Sequence, residues 1–366
     1  KNLDCYQLAS QSLSGLQDKF HHIKDDIDNI IFGTVIQDSK TSNIARESML
    51  ISGYQQKIPA NTVTMACISS NKAITDGANS IATNKASAIV AGGVETMSDV
   101  PIKLSKPLRK VLLESRKWKT NMDKLKGIKS IKMKDLGIEV PSITEFSTNE
   151  TMGYSADKLS HVWGVTREDQ DEFAVRSHLL ASKAQKDKLL TDVLSINVPN
   201  IISKDNIIKH DSNFEKLQTL KPVFIKNFGT ITAGNASSLT DGASAGLICN
   251  QDYIDKHNLN PKSEIIDYIY YGTNPQDELL LGPAYATSLL LEKNNLKISD
   301  IDVVEFHEAF AGQVLANLNA MDSELFKNKL KLKEKVGRIP LEKINTWGGS
   351  LSLGHPFGAT GVRLLT

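Results

Sequence analysis

The sequence predicts an α/β fold split by an insertion. Three observations carry that expectation. Strand-like and helix-like patterns alternate through the first hundred residues, the alternation is lost from about Pro101 to Phe228, and it returns after Gly229. At 366 residues the chain is longer than one core can use, so two domains, or one duplicated, are expected. Composition is ordinary for a globular protein, with 40% hydrophobic and 23% charged residues and a mean hydropathy of −0.24. The longest uninterrupted run of apolar residues and glycine, near Ala88–Val94, falls far short of the ~20 residues of a membrane helix.

In chain order, DNIIFGTVIQ (28–37) reads as a strand and NIARESMLISGY (43–54) as a helix. TVTMA (62–66) is a strand, Cys67 to about Asn84 a helix, and SAIVAGGVE (87–95) a short buried strand. Such alternation argues for buried parallel strands. Within the insertion, TREDQDEFAVRSHLLASKAQ (166–185) is a helix with a capping-type start. Beyond Gly229, SEIIDYIYYG (263–272) and IDVVEF (301–306) read as strands, ATSLLLEKNNL (286–296) and AFAGQVLANLNAM (309–321) as helices.

Charge is uneven. The net charge is +1, yet Lys103 to Lys134 holds twelve Lys or Arg against Glu114 and Asp123. Leu104, Leu108, Val111 and Leu112 of this segment fall on one helical face. A solvated helix-loop and a contact with an anionic membrane surface both fit; a single basic stretch is weak ground for nucleic acid, and none is expected. The three cysteines, Cys5, Cys67 and Cys249, form neither a disulfide framework nor a metal-ligand set, which points to a reducing compartment.

Cys67 stands where a strand gives way to a helix. Unpaired N–H groups and the partial positive charge of a helix start favour a thiolate, and the same amides hold an oxyanion. On the local sequence alone, a small inert buried residue competes with that reading. NTWGGSLSLGHPFGATG (345–361) sets five glycines around His355, where backbone can approach a ligand and an imidazole can polarise a carbonyl or move a proton. It lacks GK[ST], so it is not a P-loop. EFHEAFAGQVLAN (305–317) puts His307 at the C-terminal end of an expected strand, where ligands collect in open α/β sheets. Ala311 excludes HExxH, and a structural histidine is the alternative.

TMACISS, AGGVETMS (91–98), GTITAGNASSLTDGAS (229–244), HEAFAGQ (307–313) and GGSLSLGHPFGATG (348–361) together resemble the thiolases, in the right order over nearly the whole chain. HEAF, where NEAF is commoner, resembles the branch that works beside an α subunit in mitochondrial fatty-acid oxidation. The resemblance implies a thiolase fold: two stacked βαβαβαββ halves with an inserted loop domain, hence residues 1–102, 103–228 and 229–366. It implies thiolysis of 3-ketoacyl-CoA by CoA, without metal or other cofactor. Cys67 matches the acylated nucleophile, His355 the oxyanion-hole histidine and base, and His307 the second oxyanion-hole group. Ser237, Ala233 and Gly234 match the pantetheine stretch, and Met152 the acyl pocket. A second reactive cysteine in a CxxGG-type stretch is also implied; Cys249, in GLICNQDY, does not match it, and that cysteine is expected outside the 366 residues, as is a first strand before Lys1. A homodimer, a hydratase/dehydrogenase α subunit, a matrix location at the inner membrane and a peripheral membrane contact through 103–134 complete what is implied. A biosynthetic thiolase and a silent scaffold are the other readings.

Overall fold

In a computed structural model, residues 3–197 and 201–366 are described. The chain runs α1 (Cys5–Lys19), β1 (Asn29–Gly33), α2 (Ile44–Ile51), β2 (Ala60–Val63), α3 (Ser69–Ala82) and β3 (Ala88–Glu95). The intervening region holds β4 (Lys103–Leu104), α4 (Lys106–Ser115), α5 (Asn121–Lys129), β5 (Ile138–Glu139), α6 (Met152–Val162), α7 (Arg167–Lys186), β6 (Ile196–Asn197), β7 (Ile201–Ile202) and α8 (Phe214–Gln218). Then come β8 (Gly242–Cys249), α9 (Gln251–His257), α10 (Gly282–Lys293), α11 (Ala311–Met321), α12 (Glu324–Leu330), α13 (Ser350–Leu353) and α14 (Thr360–Arg363).

The first sheet has the order β2-β1-β3-β8. β2, β1 and β3 are parallel, linked by the α2 and α3 crossovers that parallel pairing requires, and β8 closes the sheet antiparallel to β3. Alternation sorts the side chains. Ile30, Phe32, Val90 and Val94 join the core beneath α1 and α2, while Ile31, Ile89 and Ala91 pack with Ala73 and Ile74 of α3 and with Val362. A second core surrounds α11, which is buried on almost every side and packs against α6, α7 and α10.

Several expectations need correction. β8, expected in the C-terminal half, belongs to the first sheet, where Gly242–Cys249 pair with β3. The helix after Cys67 starts at Ser69. Leu104 lies in β4 and not on the α4 face. The strands expected at 263–272 and 301–306 form no ladder; a single bridge joins Val304 to Ile344. The first of these lies extended beside α3, where the Tyr270 and Thr75 hydroxyls meet at 2.7 Å and Asn79 donates to the Tyr268 hydroxyl at 2.6 Å. Strand propensity there has no neighbouring strand to answer it.

The two halves meet through backbone. A Cβ on Gly93 would stand 1.8 Å from the carbonyl oxygen of Gly358, and one on Gly358 would stand 2.7 Å from that of Gly33. Only glycine permits this approach. Gly93→Ala is therefore expected to cost about 3 kcal/mol through overpacking, read from the urea midpoint. An unchanged midpoint would show that the close contact is not required.

Candidate active site

Cys67 sits in a tight turn between β2 and α3. Ala66 takes a positive φ of 45°, the Ile68 amide donates to the Met65 carbonyl, and the Ser69 hydroxyl accepts from the Met65 amide at 2.8 Å. The sulfur is free and half-buried. Burial, and then the charge of Glu95, push its pKa up to about 11, with a backbone hydrogen bond acting in the opposite sense. That bears against a thiolate sustained by the helix amides, because the surroundings of the sulfur disfavour its charged form.

Glu95 ends β3, wholly buried. Its carboxylate accepts from the amides of Val35, Ile36 and Gly358, each at 3.0 Å. One buried charge thus ties the loop after β1 to the glycine-rich loop of His355. The C-terminal loop also reaches the start of α3, where the Val362 amide donates to the Ser70 hydroxyl at 3.2 Å.

His307 and His355 lie with ring centroids 4.0 Å apart, tilted by 45°. Their outer partners set opposite tautomers. The Thr360 hydroxyl donates to the Pro356 carbonyl and lies 2.7 Å from His355 Nδ1, so it accepts the Nδ1 proton and leaves Nε2 with a lone pair. Ser350 Oγ accepts from Arg363 Nη2 at 2.8 Å, and among the described residues His307 Nδ1, 2.8 Å away, is its other partner, so the buried hydroxyl proton is satisfied by donation to Nδ1, which puts the His307 hydrogen on Nε2. That Nε2 is buried and has no protein partner. Burial and the nearby Arg363 charge lower both imidazoles, His355 to about 3 and His307 well below its ordinary range. One ring offers a base and the other a donor.

Glu308, beside His307, is fully buried and accepts from Ser177 Oγ at 2.7 Å, Asn345 Nδ2 at 2.6 Å and the Leu351 amide at 3.2 Å. Ser237 donates its amide to the Ala309 carbonyl at 2.9 Å, which sets the GTITAGNAS loop against the HEAF stretch. Ala233 is exposed and Gly234 and Ser237 are half-buried. Met152 begins α6; its neighbour Gly153 abuts Phe224, whose ring meets Phe310 edge-on with centroids 6.0 Å apart. Cys5 is walled into the first core, its pKa pushed up to about 12 by burial. Cys249 pairs with Ala88 at the end of the β3–β8 ladder opposite Glu95, roughly 23 Å along the strand. Sequence reasoning gave no role to Glu95, Ser350, Thr360 or Arg363. A carboxylate closing an otherwise apolar strand was the one signal available, since buried charges are rarely without purpose.

A family model described as "Thiolase, N-terminal domain" matches residues 1–252, and one described as "Thiolase, C-terminal domain" matches 259–366. This chain belongs to the thiolase family. It is 52% identical over 368 residues to the "Trifunctional enzyme subunit beta, mitochondrial" of Bos taurus, covering 100% of this chain and 77% of that protein. It is 52% identical over 371 residues to a "Probable 3-ketoacyl-CoA thiolase" of Caenorhabditis elegans, covering 100% and 83%. Among solved structures, human mitochondrial 3-ketoacyl-CoA thiolase in complex with CoA superposes with a TM-score of 0.82 at 29% identity, covering 100% of this chain and 84% of the other. The fold class is therefore the thiolase fold, as the sequence motifs led us to expect.

The protonation state of this thiolase's Cys67 is directly measurable. Alkylation by iodoacetamide, followed by peptide mass, is expected to be slow at pH 7 and to rise about tenfold per pH unit toward pH 11, since only the thiolate reacts. A rate already at its plateau by pH 8 would mean that the helix start does hold the sulfur ionised.

Proposed function

We infer that this chain is a 3-ketoacyl-CoA thiolase of fatty-acid β-oxidation, an acetyl-CoA C-acyltransferase that cleaves 3-ketoacyl-CoA with CoA. The observation that carries the reading is the neutral imidazole pair in opposite tautomers, tied through α14 to the start of α3, which follows Cys67 in the chain.

The sulfur attacks the 3-keto carbon. Because the thiol is held protonated, its proton leaves for His355 Nε2 as the C–S bond forms. The C2–C3 bond then breaks and its electron pair passes into the enolate of acetyl-CoA. His307 Nε2–H, already desolvated and unpartnered, donates to the thioester oxygen where that charge gathers, and one such donor is worth ~3 kcal/mol. Protonation of C2 and activation of the incoming CoA fall to a second acid/base, which the family resemblance assigns to a cysteine other than these three. Splitting the cleavage into acylation and deacylation is the gain of covalent catalysis.

Ser237, Ala233 and Gly234 are assigned to the pantetheine arm, and Met152, with Phe224 and Phe310 close by, to the acyl chain. The inserted region is assigned as a loop domain, with 103–134 as a peripheral contact to an anionic membrane. Two features support this. No residue from 97 to 152 is buried, and Leu112, Leu113, Met122, Leu125 and Ile128 stand exposed among the basic side chains. The trifunctional β-subunit relatives support an α-subunit partner and a mitochondrial location. We extend this to a thiolase homodimer at the inner membrane.

Intact-mass spectrometry after exposure to a 3-ketoacyl-CoA tests the chemistry. An acyl adduct lost in Cys67→Ser is the expected result; a folded protein that takes none would defeat the mechanism. Sedimentation with cardiolipin-containing vesicles tests the membrane assignment. Co-sedimentation is expected to weaken in salt as the basic face is screened, and equal recovery in the supernatant with and without lipid would reject it.

A further inference from the structure

The spacing of the two imidazoles is set by one short piece of chain between them. Segment 235–239 bonds on one side to the His307 stretch: Ala311 donates its amide to the Asn235 carbonyl and Ser237 donates to the Ala309 carbonyl, both at 2.9 Å, with Ala236 bridging antiparallel to Phe310. On the other side the His355 amide donates to the Ser238 carbonyl at 2.9 Å, and Leu239 bridges parallel to His355. The two histidines are 48 positions apart in the chain, yet both hang from the same five residues.

That splint is anchored at one end by a buried side chain. Asn235 is fully buried; its Oδ1 accepts from the Thr232 amide at 2.8 Å, and its Nδ2 donates to the Thr230 carbonyl at 3.0 Å and to Asp171 Oδ1 at 2.9 Å. Asp171, on α7, is also fully buried. Its Oδ2 accepts from Arg167 Nε at 2.7 Å and Gln218 Nε2 at 2.8 Å. Every bond to the carboxylate is a donated one, so the group is held in place between a guanidinium and the splint.

We propose that Asp171 is a positioning residue for the thiolytic site: through Asn235 it fixes segment 235–239, and thereby the separation of His307 from His355. The proposal rests on the roles assigned above to those two histidines. Asp171 touches neither substrate nor ring. Its removal frees Asn235 Nδ2 and lets the splint shift, and a displacement of about 1 Å at a reacting centre costs on the order of a hundredfold in rate.

The test is a double-mutant cycle on the folded enzyme in thiolysis of a 3-ketoacyl-CoA. Asp171→Ala is expected to lower kcat by about ten- to a hundredfold while leaving KM within about threefold, because the loss is in transition-state alignment. In a His307→Ala background the same substitution should lower kcat by less than about threefold, since residues acting through one group are not additive. Equal losses in both backgrounds would overturn the proposal, as would a loss accounted for wholly by a smaller fraction of acylatable Cys67. If His307→Ala by itself left kcat unchanged, the reading of the histidine pair would fall and the proposal with it, an outcome distinct from the first. Asp171→Asn, nearly isosteric, keeps an acceptor for Asn235 but turns a donor toward Arg167. It serves the same cycle should the alanine variant not fold, with the same pattern expected.

Discussion

Two imidazoles with ring centroids 4.0 Å apart cannot comfortably both carry a charge. Two like charges at that distance repel by about 4 kcal/mol even at an effective dielectric of 20. Arg363 reinforces the constraint, its guanidinium lying close enough to depress both rings. Neutrality is what makes the site useful. A neutral pair in opposite tautomers supplies one lone pair and one N–H from identical side chains, so the tautomers, and not the residue type, distinguish the two rings.

Much of the rest of the molecule holds the His355 loop against the half that carries Cys67. Close backbone approach at Gly33, Gly93 and Gly358 seats the His355 loop on the ends of β1 and β3. Glu95 then binds the same loop through the Gly358 amide and the strand-end loop through Val35 and Ile36. An unpaired carboxylate in that place would be costly, and three amides left without it would be costly too, so clamp and loop depend on one another. The consequence for Cys67 is a negative charge nearby that adds to burial in pushing its pKa up.

Much of this was legible beforehand, and the reasons for the misses are physical. β1, β3 and α11 announced themselves by apolar periodicity, and α7 by its Thr166 capping box with Asp169. β8 was not placed in a sheet because only its end, GLIC, reads as strand-like and GASA before it is built of small residues; its place comes from pairing with β3. The expected strand at 263–272 had the propensity and no partner, a tertiary matter that no local pattern reveals. Cys67, His307 and His355 were singled out because motif and residue chemistry coincide there. Ser350, Thr360, Arg363 and Asn235 were not, because each acts through a partner distant in sequence or through the orientation of a hydroxyl. The expectation of a helix-stabilised thiolate left out a related effect: a helix start lends its dipole to a sulfur, but burial and an adjacent carboxylate push the pKa of Cys67 the other way.

The central claim concerns protons, so it is tested by seeing them. Nitrogen-15 NMR of the protein labelled at its eight histidines, with His307 and His355 assigned by single substitution to Asn, reports tautomer and charge directly. Between pH 5.5 and 8.5 the account expects neither ring to titrate, with His355 protonated on Nδ1 and His307 on Nε2. An imidazolium at either position near pH 7, or the same tautomer at both, would contradict it.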